Sequence, residues 1–276
     1  MDPSIASGLF AAVVAIVATV AIEKFGARLG GLLATIPTTI VPASLGFWWT
    51  SPNSPEFYDA LYAVSGGMLV NAGFLFCWRV LPRVFGGASV HIILLKVTVS
   101  ALFAWAGLSF LLFSLIHTEV LPLFILSFAF VAIQIGFGVV ACWRRPQEKK
   151  GTSPVGLITL LARGLLAGTA IAFSVWLAGL GVPVVAGMAS VFPAIFLTTM
   201  VSVWLSQGAA VPIGAVSPMI LGSSSVSIYA LIATWSLPAM SPGIGALVAW
   251  LASVALISLP SWFFLNWSGQ KTTSAG

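Results

Sequence analysis

Apolar runs of about 20 residues recur along almost the whole chain and constrain its fold more than any other feature. Of the 276 residues, 59% are hydrophobic and 6% are charged, and the mean hydropathy is +1.11. A soluble domain has roughly a quarter charged residues. The runs are continuous and lack the alternating polarity of barrel strands, so each is long enough to cross the bilayer as a helix. The sequence therefore predicts an all-α integral membrane protein.

The apolar runs predict nine membrane spans joined by short polar loops. The first run follows Asp2 and no basic residue, so we expect a retained span and not a cleaved signal peptide. The nine spans are roughly 5–22, 30–49, 58–81, 94–116, 121–143, 156–178, 184–206, 211–234 and 243–265.

Charged residues predict the orientation of these spans. With nine spans, all eleven Lys and Arg residues fall on one face of the membrane. The positive-inside rule then places the N-terminus outside and the C-terminus in the cytoplasm. We expect a multi-pass protein of a cell membrane, with a bacterial inner membrane as its location. The acidic residues that fall on the opposite face are Asp2, Glu56, Asp59 and Glu119.

A shift of 156 residues superposes the second half of the chain on the first. Seven of the 44 positions in 6–49 are then identical, among them Gly31 with Gly187 and Pro37 with Pro193. A shift of five spans makes the two halves enter the membrane from opposite sides, which predicts a 4+1+4 inverted repeat. The predicted units are repeat 1 (1–116), a connector span with a basic loop (117–155), repeat 2 (156–266) and a cytoplasmic tail (267–276).

Two predicted spans carry a proline at mid-depth. Pro37 frees the carbonyl of Leu33 and Pro193 frees that of Ala189, and each carbonyl needs a new partner inside the membrane. A midplane site could be enclosed by polar residues of the spans that contain the two prolines and of two neighbouring spans. The repeat alignment also places Asn71 on Ser223. The candidate solute-binding residues are Thr35, Pro37, Thr38, Ser65, Asn71, Ser190, Pro193, Ser217, Ser223 and Ser224.

The same residues have a structural interpretation. Proline kinks repaired by a neighbouring hydroxyl are ordinary in membrane helices, and small residues permit close helix packing. For Gln134 we expect a packing hydrogen bond, and we expect Arg163 and Glu23 to snorkel to the cytoplasmic surface. His91 and His117 lie in loops on opposite faces, so no shared metal site is predicted.

The stretch GGLLATIPTTIVPASLGFWW, a short acidic loop and a span that ends WRVLPRVFG resemble the small bacterial GlpM-type membrane proteins. The resemblance covers residues 28–85. It implies that this longer chain is a duplicated, inverted relative of that family. The family carries no defined chemistry to transfer. The inverted plan also looks like that of the drug/metabolite-type transporters, by architecture alone.

These features favour a secondary transporter that moves a small neutral or anionic solute by alternating access. Neither an enzyme motif nor an ATP-binding motif is present in the sequence, so we expect no catalysis, cofactor or nucleic-acid partner. Carboxylates are absent from the predicted midplane. A facilitator or a Na⁺-coupled carrier is therefore favoured over a carboxylate-driven proton antiporter. A channel and a structural or assembly subunit remain as alternatives.

Overall fold

The computed structural model describes the backbone of residues 1–33, 36–87, 89–143 and 156–273, and the side chains of these residues except 21–33 and 267–273. This part of the chain is mostly helical and contains no strand. A π-helical turn, Val254–Ser258, joins the last two helices. The helices are α1 (Pro3–Leu33), α2 (Ile40–Thr50), α3 (Pro55–Val84), α4 (Val90–Ile116), α5 (Leu123–Trp143), α6 (Leu157–Gly179), α7 (Pro183–Ser190), α8 (Ala194–Gln207), α9 (Ala210–Gly222), α10 (Ser224–Ala239), α11 (Pro242–Ser253) and α12 (Leu259–Thr273).

Eight helical segments in the described ranges are long and apolar enough to cross a membrane. This confirms the predicted class of an all-α membrane protein. Three of the eight segments are composite: α7 with α8, α9 with α10, and α11 with the first part of α12. Each composite segment contains an interruption within one apolar run.

The second predicted span, 30–49, is not a single helix. Helix α1 continues to Leu33, and α2 begins only at Ile40 and has 11 residues. A helix of that length rises about 16 Å, about half of the ~30 Å hydrocarbon core. Lys24 and Arg28, expected in a loop, fall within the range of α1, and their side chains lie outside the described set. The count of nine spans stays a prediction.

Helix α3 is the central element of the bundle and packs against α4, α5, α7, α9 and α10. The N-terminal half of α3, with Phe57 and Leu61, belongs to a core cluster shared with α2, α6 and α10. Its C-terminal half, with Phe74 and Trp78, belongs to a second cluster shared with α4, α8 and α9. Asn71 lies on α3 between these two apolar regions.

Helices α1 and α6 form the most extensive contact in the bundle and run antiparallel. A Cβ added at Gly8 would lie 2.8 Å from the carbonyl oxygen of Gly168, and one added at Gly168 would lie 2.8 Å from the carbonyl oxygen of Gly8. Further along the pair, a Cβ at Gly164 would lie 3.3 Å from the carbonyl oxygen of Ala12. Glycine is required here because the two backbones are in direct contact, as in small-residue membrane interfaces.

Candidate functional site

Both predicted mid-span prolines coincide with interruptions of helical structure. Around Pro37 the described residues 36–39 are non-helical, and around Pro193 the residues 191–193 separate α7 from α8. Pro193 has no backbone N–H to donate to the carbonyl of Ala189, and this carbonyl accepts a 2.9 Å hydrogen bond from the backbone N–H of Phe192 instead. A local turn therefore satisfies the carbonyl that was expected to be free.

A different carbonyl, that of Val191, points to a distant helix. The Asn71 side-chain amide donates a 2.6 Å hydrogen bond to the Val191 oxygen, and it lies 3.5 Å from the Met68 sulfur. The Trp105 indole N–H of α4 donates to Asn71 Oδ1 at 2.9 Å. Asn71 is 1% exposed. We call these four residues the Asn71 cluster; it joins α3 and α4 to the α7–α8 break.

The indole of Trp105 also contacts the break directly. Its ring packs edge-on against Phe192 with the ring centroids 5.2 Å apart. Phe192 follows Val191, so one tryptophan supports the break through a ring contact and through the hydrogen bond to Asn71. Two successive residues of the interruption are thus held by side chains from other helices.

The predicted partner of Asn71 under the repeat, Ser223, lies in another group. Gln134 of α5 donates from Nε2 to Ser223 Oγ at 3.2 Å, and its Oε1 accepts from Ser227 Oγ at 3.0 Å. We call these three residues the Gln134 cluster. It confirms the packing hydrogen bond expected of Gln134. Ser224, the next candidate, donates to the Leu221 carbonyl at 2.6 Å.

Ser217 belongs to neither cluster. Nη1 of Arg79 donates 3.0 Å hydrogen bonds to Ser217 Oγ and to the carbonyl oxygen of Ala141. Arg79 thereby joins the C-terminal halves of α3 and α5 to α9. Ser217 therefore lies at the depth of Arg79, and the charge pattern of the sequence assigns Arg79 to the cytoplasmic end of α3.

Arg163 is buried, with 6% of its surface exposed, so the expectation that it snorkels to the surface is wrong. Its Nη1 donates to Thr19 Oγ1 of α1 at 2.8 Å, and its Nη2 donates to Thr199 Oγ1 of α8 at 2.8 Å. A longer contact of 3.4 Å joins Nε to Thr198 Oγ1. We call these four residues the Arg163 cluster. The guanidinium links three helices near the first turns of α8.

The other candidates occupy separate positions. Ser65 is fully buried and its Oγ makes no hydrogen bond with the described residues. Ser190 donates to the Gly187 carbonyl of its own helix at 2.7 Å. Pro37 is buried and Thr38 is half-buried beside the first break, and Thr35 lies outside the described residues. The nine candidates among the described residues therefore occupy separate positions and do not form one contact group.

The sequence did not indicate Trp105 or Thr19 as site residues. Trp105 lies in an apolar run in which Ser100 and Ser109 are the nearest polar residues, and nothing in the sequence indicates a role for its indole. For Arg163 a signal existed, because it lies seven residues after the predicted start of its span at residue 156. This position is about two helical turns from the end of the span, which is deep enough for the side chain to be buried.

Chemically, amide, indole and hydroxyl groups lie beside a broken helix, and a buried guanidinium lies beside the following helix. Such groups can exchange hydrogen bonds with a polar solute, and a guanidinium favours carboxylate or phosphate groups.

The chain matches no family model, curated protein or solved structure.

Proposed function

We propose that this protein is a secondary transporter of a cell membrane, a bacterial inner membrane, which moves a small neutral or anionic solute by alternating access. The observation that carries the proposal is the Asn71 cluster at the α7–α8 break. Irregular backbone at membrane depth is tolerated where protein or a water-filled cavity satisfies it. Discontinuous helices of this kind form the midplane sites of many secondary transporters.

Paired interruptions support the 4+1+4 inverted repeat within this proposal. The non-helical residues around Pro37 and those around Pro193 are separated by the same 156 residues that align the two halves of the sequence. Under this shift the short helix α2 corresponds to α8, because Ile40 falls on Phe196. Two broken spans related in this way can alternate between outward-facing and inward-facing arrangements.

Reciprocal contacts between α1 and α6 give independent support for the repeat. A Cβ at Gly8 would lie 2.7 Å from the Cβ of Ala172, and a Cβ at Gly164 would lie 2.7 Å from Cδ1 of Ile16. Gly8 corresponds to Gly164 and Ile16 to Ala172 under the shift of 156 residues. Each contact therefore recurs with the roles of the helices exchanged, as expected around a two-fold axis.

Orientation follows from the charges at the ends of α3. Glu56 and Asp59 lie in its first turns, and Arg79 and Arg83 lie in its last turns. The positive-inside rule assigns the arginine end to the cytoplasm. With nine spans this orientation gives an external N-terminus and a cytoplasmic C-terminus.

Among small solutes, the Arg163 cluster favours anions. A buried guanidinium lies against Thr198 and Thr199, on the second turn of α8. Rotation of the threonine hydroxyls would let a carboxylate or phosphate accept the guanidinium hydrogen bonds in their place, and a charged acceptor forms the stronger hydrogen bond.

Reconstitution in liposomes tests the proposal. The purified chain is incorporated into vesicles, and uptake of radiolabelled small carboxylates, phosphate esters, amino acids and sugars is measured with and without a Na⁺ gradient. We expect saturable uptake of a restricted set of solutes, with the anions ahead. Absence of uptake above protein-free vesicles across the panel would contradict the proposal and favour a structural subunit.

Counterflow distinguishes a carrier from a channel. Vesicles preloaded with unlabelled solute are diluted into labelled solute, and transient accumulation above equilibrium is measured. An alternating-access carrier exchanges solutes and shows this overshoot, whereas a channel dissipates the gradient without it. Solute movement without an overshoot would therefore replace the transporter with the channel alternative.

A further inference from the structure

A groove opens between the C-terminal ends of α3 and α5, apart from the breaks and their clusters. These helices run parallel here, because Tyr62 contacts Phe124 near their N-terminal ends and Phe76 contacts Phe137 further along. The groove has a volume of about 470 Å³, within the range of about 300–1,000 Å³ typical of small-molecule sites. Its lining residues are Phe76, Arg79, Val80, Arg83, Val84, Phe137, Val140 and Ala141.

The groove combines an apolar wall with two cations. Val80 is 39% exposed and Val140 is 62% exposed, so the wall faces the surroundings of the bundle. Phe76 and Phe137 meet edge-on at 5.3 Å at the deeper end. One turn apart on α3, the two arginines of the groove line its outer end.

The two arginines have different environments. Arg79 is half-buried, and its Nη1 is fixed by the Ala141 carbonyl and Ser217 Oγ. Arg83 is exposed, and its guanidinium makes no hydrogen bond or ion pair with the described residues. A fixed guanidinium beside an exposed one suits a phosphate group, which accepts bidentate hydrogen bonds from arginine.

The depth of the arginines matches the level of lipid phosphates. Asp59, at the opposite end of α3, precedes Arg79 by 20 residues, which corresponds to about 30 Å of helix rise. That distance equals the thickness of the hydrocarbon core. When Asp59 lies at one edge of the core, Arg79 lies at the other edge, and Phe76 and Val80 face acyl chains.

We propose that this groove binds an anionic glycerophospholipid of the leaflet at this end of the bundle. The lipid phosphate lies between Arg79 and Arg83, and one acyl chain follows Phe76, Val80 and Val140. Basic pockets between membrane helices recognise anionic headgroups through this combination of charge and apolar surface. The inference is independent of solute transport, because it uses neither helix break.

Native mass spectrometry of the purified full chain tests the site. Phosphatidylglycerol and phosphatidylcholine with the same acyl chains are titrated into the detergent-solubilised protein, and the bound fraction is measured. We expect phosphatidylglycerol to bind about fivefold more tightly, because a cation near the surface contributes on that scale to anionic lipid binding. Equal binding of the two lipids would overturn the proposal.

A matched pair of variants locates the binding. Arg83→Gln removes the exposed cation of the groove and should abolish most of the preference for phosphatidylglycerol. Lys96→Gln removes an exposed cation of α4 that lies outside the groove, 5.8 Å from the ring centroid of Phe85, and should leave the preference unchanged. Equal losses in the two variants would show general attraction by surface charge and contradict the site.

Competition with free phosphate identifies the source of the ligand. Inorganic phosphate and glycerol 3-phosphate are added to the phosphatidylglycerol complex at the concentration of the lipid. We expect neither to displace the lipid, because both lack the acyl chain that covers Val80 and Val140. Displacement by either at equal concentration would mean that the groove is a phosphate site and not a lipid site.

Discussion

The side-chain amide of Asn71 donates a 2.6 Å hydrogen bond to the carbonyl oxygen of Val191, 120 residues further along the chain. The contact joins the central helix to the point where α7 ends. Both groups are buried, and Trp105 fixes the amide by donating to its oxygen. The α7–α8 break therefore depends on a side chain that belongs to neither of the two helices.

Asn71→Leu should destabilise the protein. The substitution preserves the approximate volume, but it leaves the Val191 carbonyl and the Trp105 indole N–H without their partner in a buried region. Leaving a buried polar group unsatisfied costs about 1–3 kcal/mol. Thermal unfolding of the purified variant in detergent, followed by tryptophan fluorescence, measures the change.

The control is Ser114→Ala. Ser114 is exposed and its hydroxyl donates only within its own helix, to the Phe110 carbonyl at 2.9 Å. We expect its unfolding temperature to equal that of the unmodified chain. A similar small shift in both variants would contradict the assignment of Asn71 as the support of the break.

A double-mutant cycle tests whether Trp105 acts through Asn71. Trp105→Phe retains an aromatic ring beside Phe192 but removes the N–H that donates to Asn71 Oδ1. Combined with Asn71→Leu, it should lower the free energy of unfolding by less than the sum of the single effects. Residues in one hydrogen-bond network show coupling of about 0.5–3 kcal/mol.

Tyr229→Phe provides the reference for that cycle. The Tyr229 hydroxyl contacts Ser44 Oγ at 2.7 Å, between α10 and α2, and takes no part in the Asn71 cluster. Combined with Trp105→Phe, it should be additive within about 0.5 kcal/mol. Equal coupling in the two cycles would show that Trp105 stabilises the bundle generally and not through Asn71.

The sequence predicted the helical membrane class and both interruptions, because long apolar runs and prolines act locally. It did not predict which groups meet. Pro193 was expected to expose the Ala189 carbonyl, yet the next turn satisfies that group and Asn71 binds Val191 instead. A contact between residues 120 positions apart depends on helix packing, which the pattern of hydropathy does not specify.

The repeat alignment had a similar limit. It paired Asn71 with Ser223 by position, and the structure gives the two residues different partners. Asn71 is hydrogen-bonded to Trp105 of α4 and to the Val191 carbonyl that follows α7, whereas Ser223 is hydrogen-bonded to Gln134 of α5. Two units of similar backbone path can diverge in side-chain contacts, because the connector α5 packs beside α3 and α9 and supplies Gln134. Positional equivalence therefore predicted the location of polar residues better than their role.

Gly168→Ala should weaken the contact of α1 with α6. The added methyl group would lie 2.8 Å from the carbonyl oxygen of Gly8, closer than a carbon and an oxygen can pack without movement of a helix. Overpacking of this kind costs about 1–3 kcal/mol. Unfolding in detergent at increasing denaturant concentration measures the loss.

Gly107→Ala is the matched control for that variant. Gly107 lies on α4, and a Cβ added there would meet no atom within 4 Å. Because alanine is favoured over glycine in a helix by about 1 kcal/mol, stability should be unchanged or slightly higher. Equal destabilisation by both substitutions would refute the close approach of α1 and α6.

Arg163→Lys should destabilise the protein although it preserves the charge. The guanidinium reaches Thr19 on α1 and Thr199 on α8 at the same time, each at 2.8 Å. A lysine ammonium lacks the planar arrangement of N–H groups with which a guanidinium binds two acceptors in fixed directions. We expect a loss of about 1–3 kcal/mol in the free energy of unfolding, on the scale of hydrogen bonds to charged groups.

In liposomes, the same lysine variant should lower the uptake of anions more than that of neutral solutes, because the geometry of charge recognition is altered.

Thr199→Val removes one acceptor of the Arg163 guanidinium, and its effect on stability should be largely lost when Arg163 is already lysine. Thr234→Val is the control, since that hydroxyl donates to the Leu231 carbonyl of its own helix at 2.7 Å. If Thr199→Val is silent and Arg163→Lys behaves as the unmodified chain, the arginine reaches the membrane surface instead and the anion preference loses its basis.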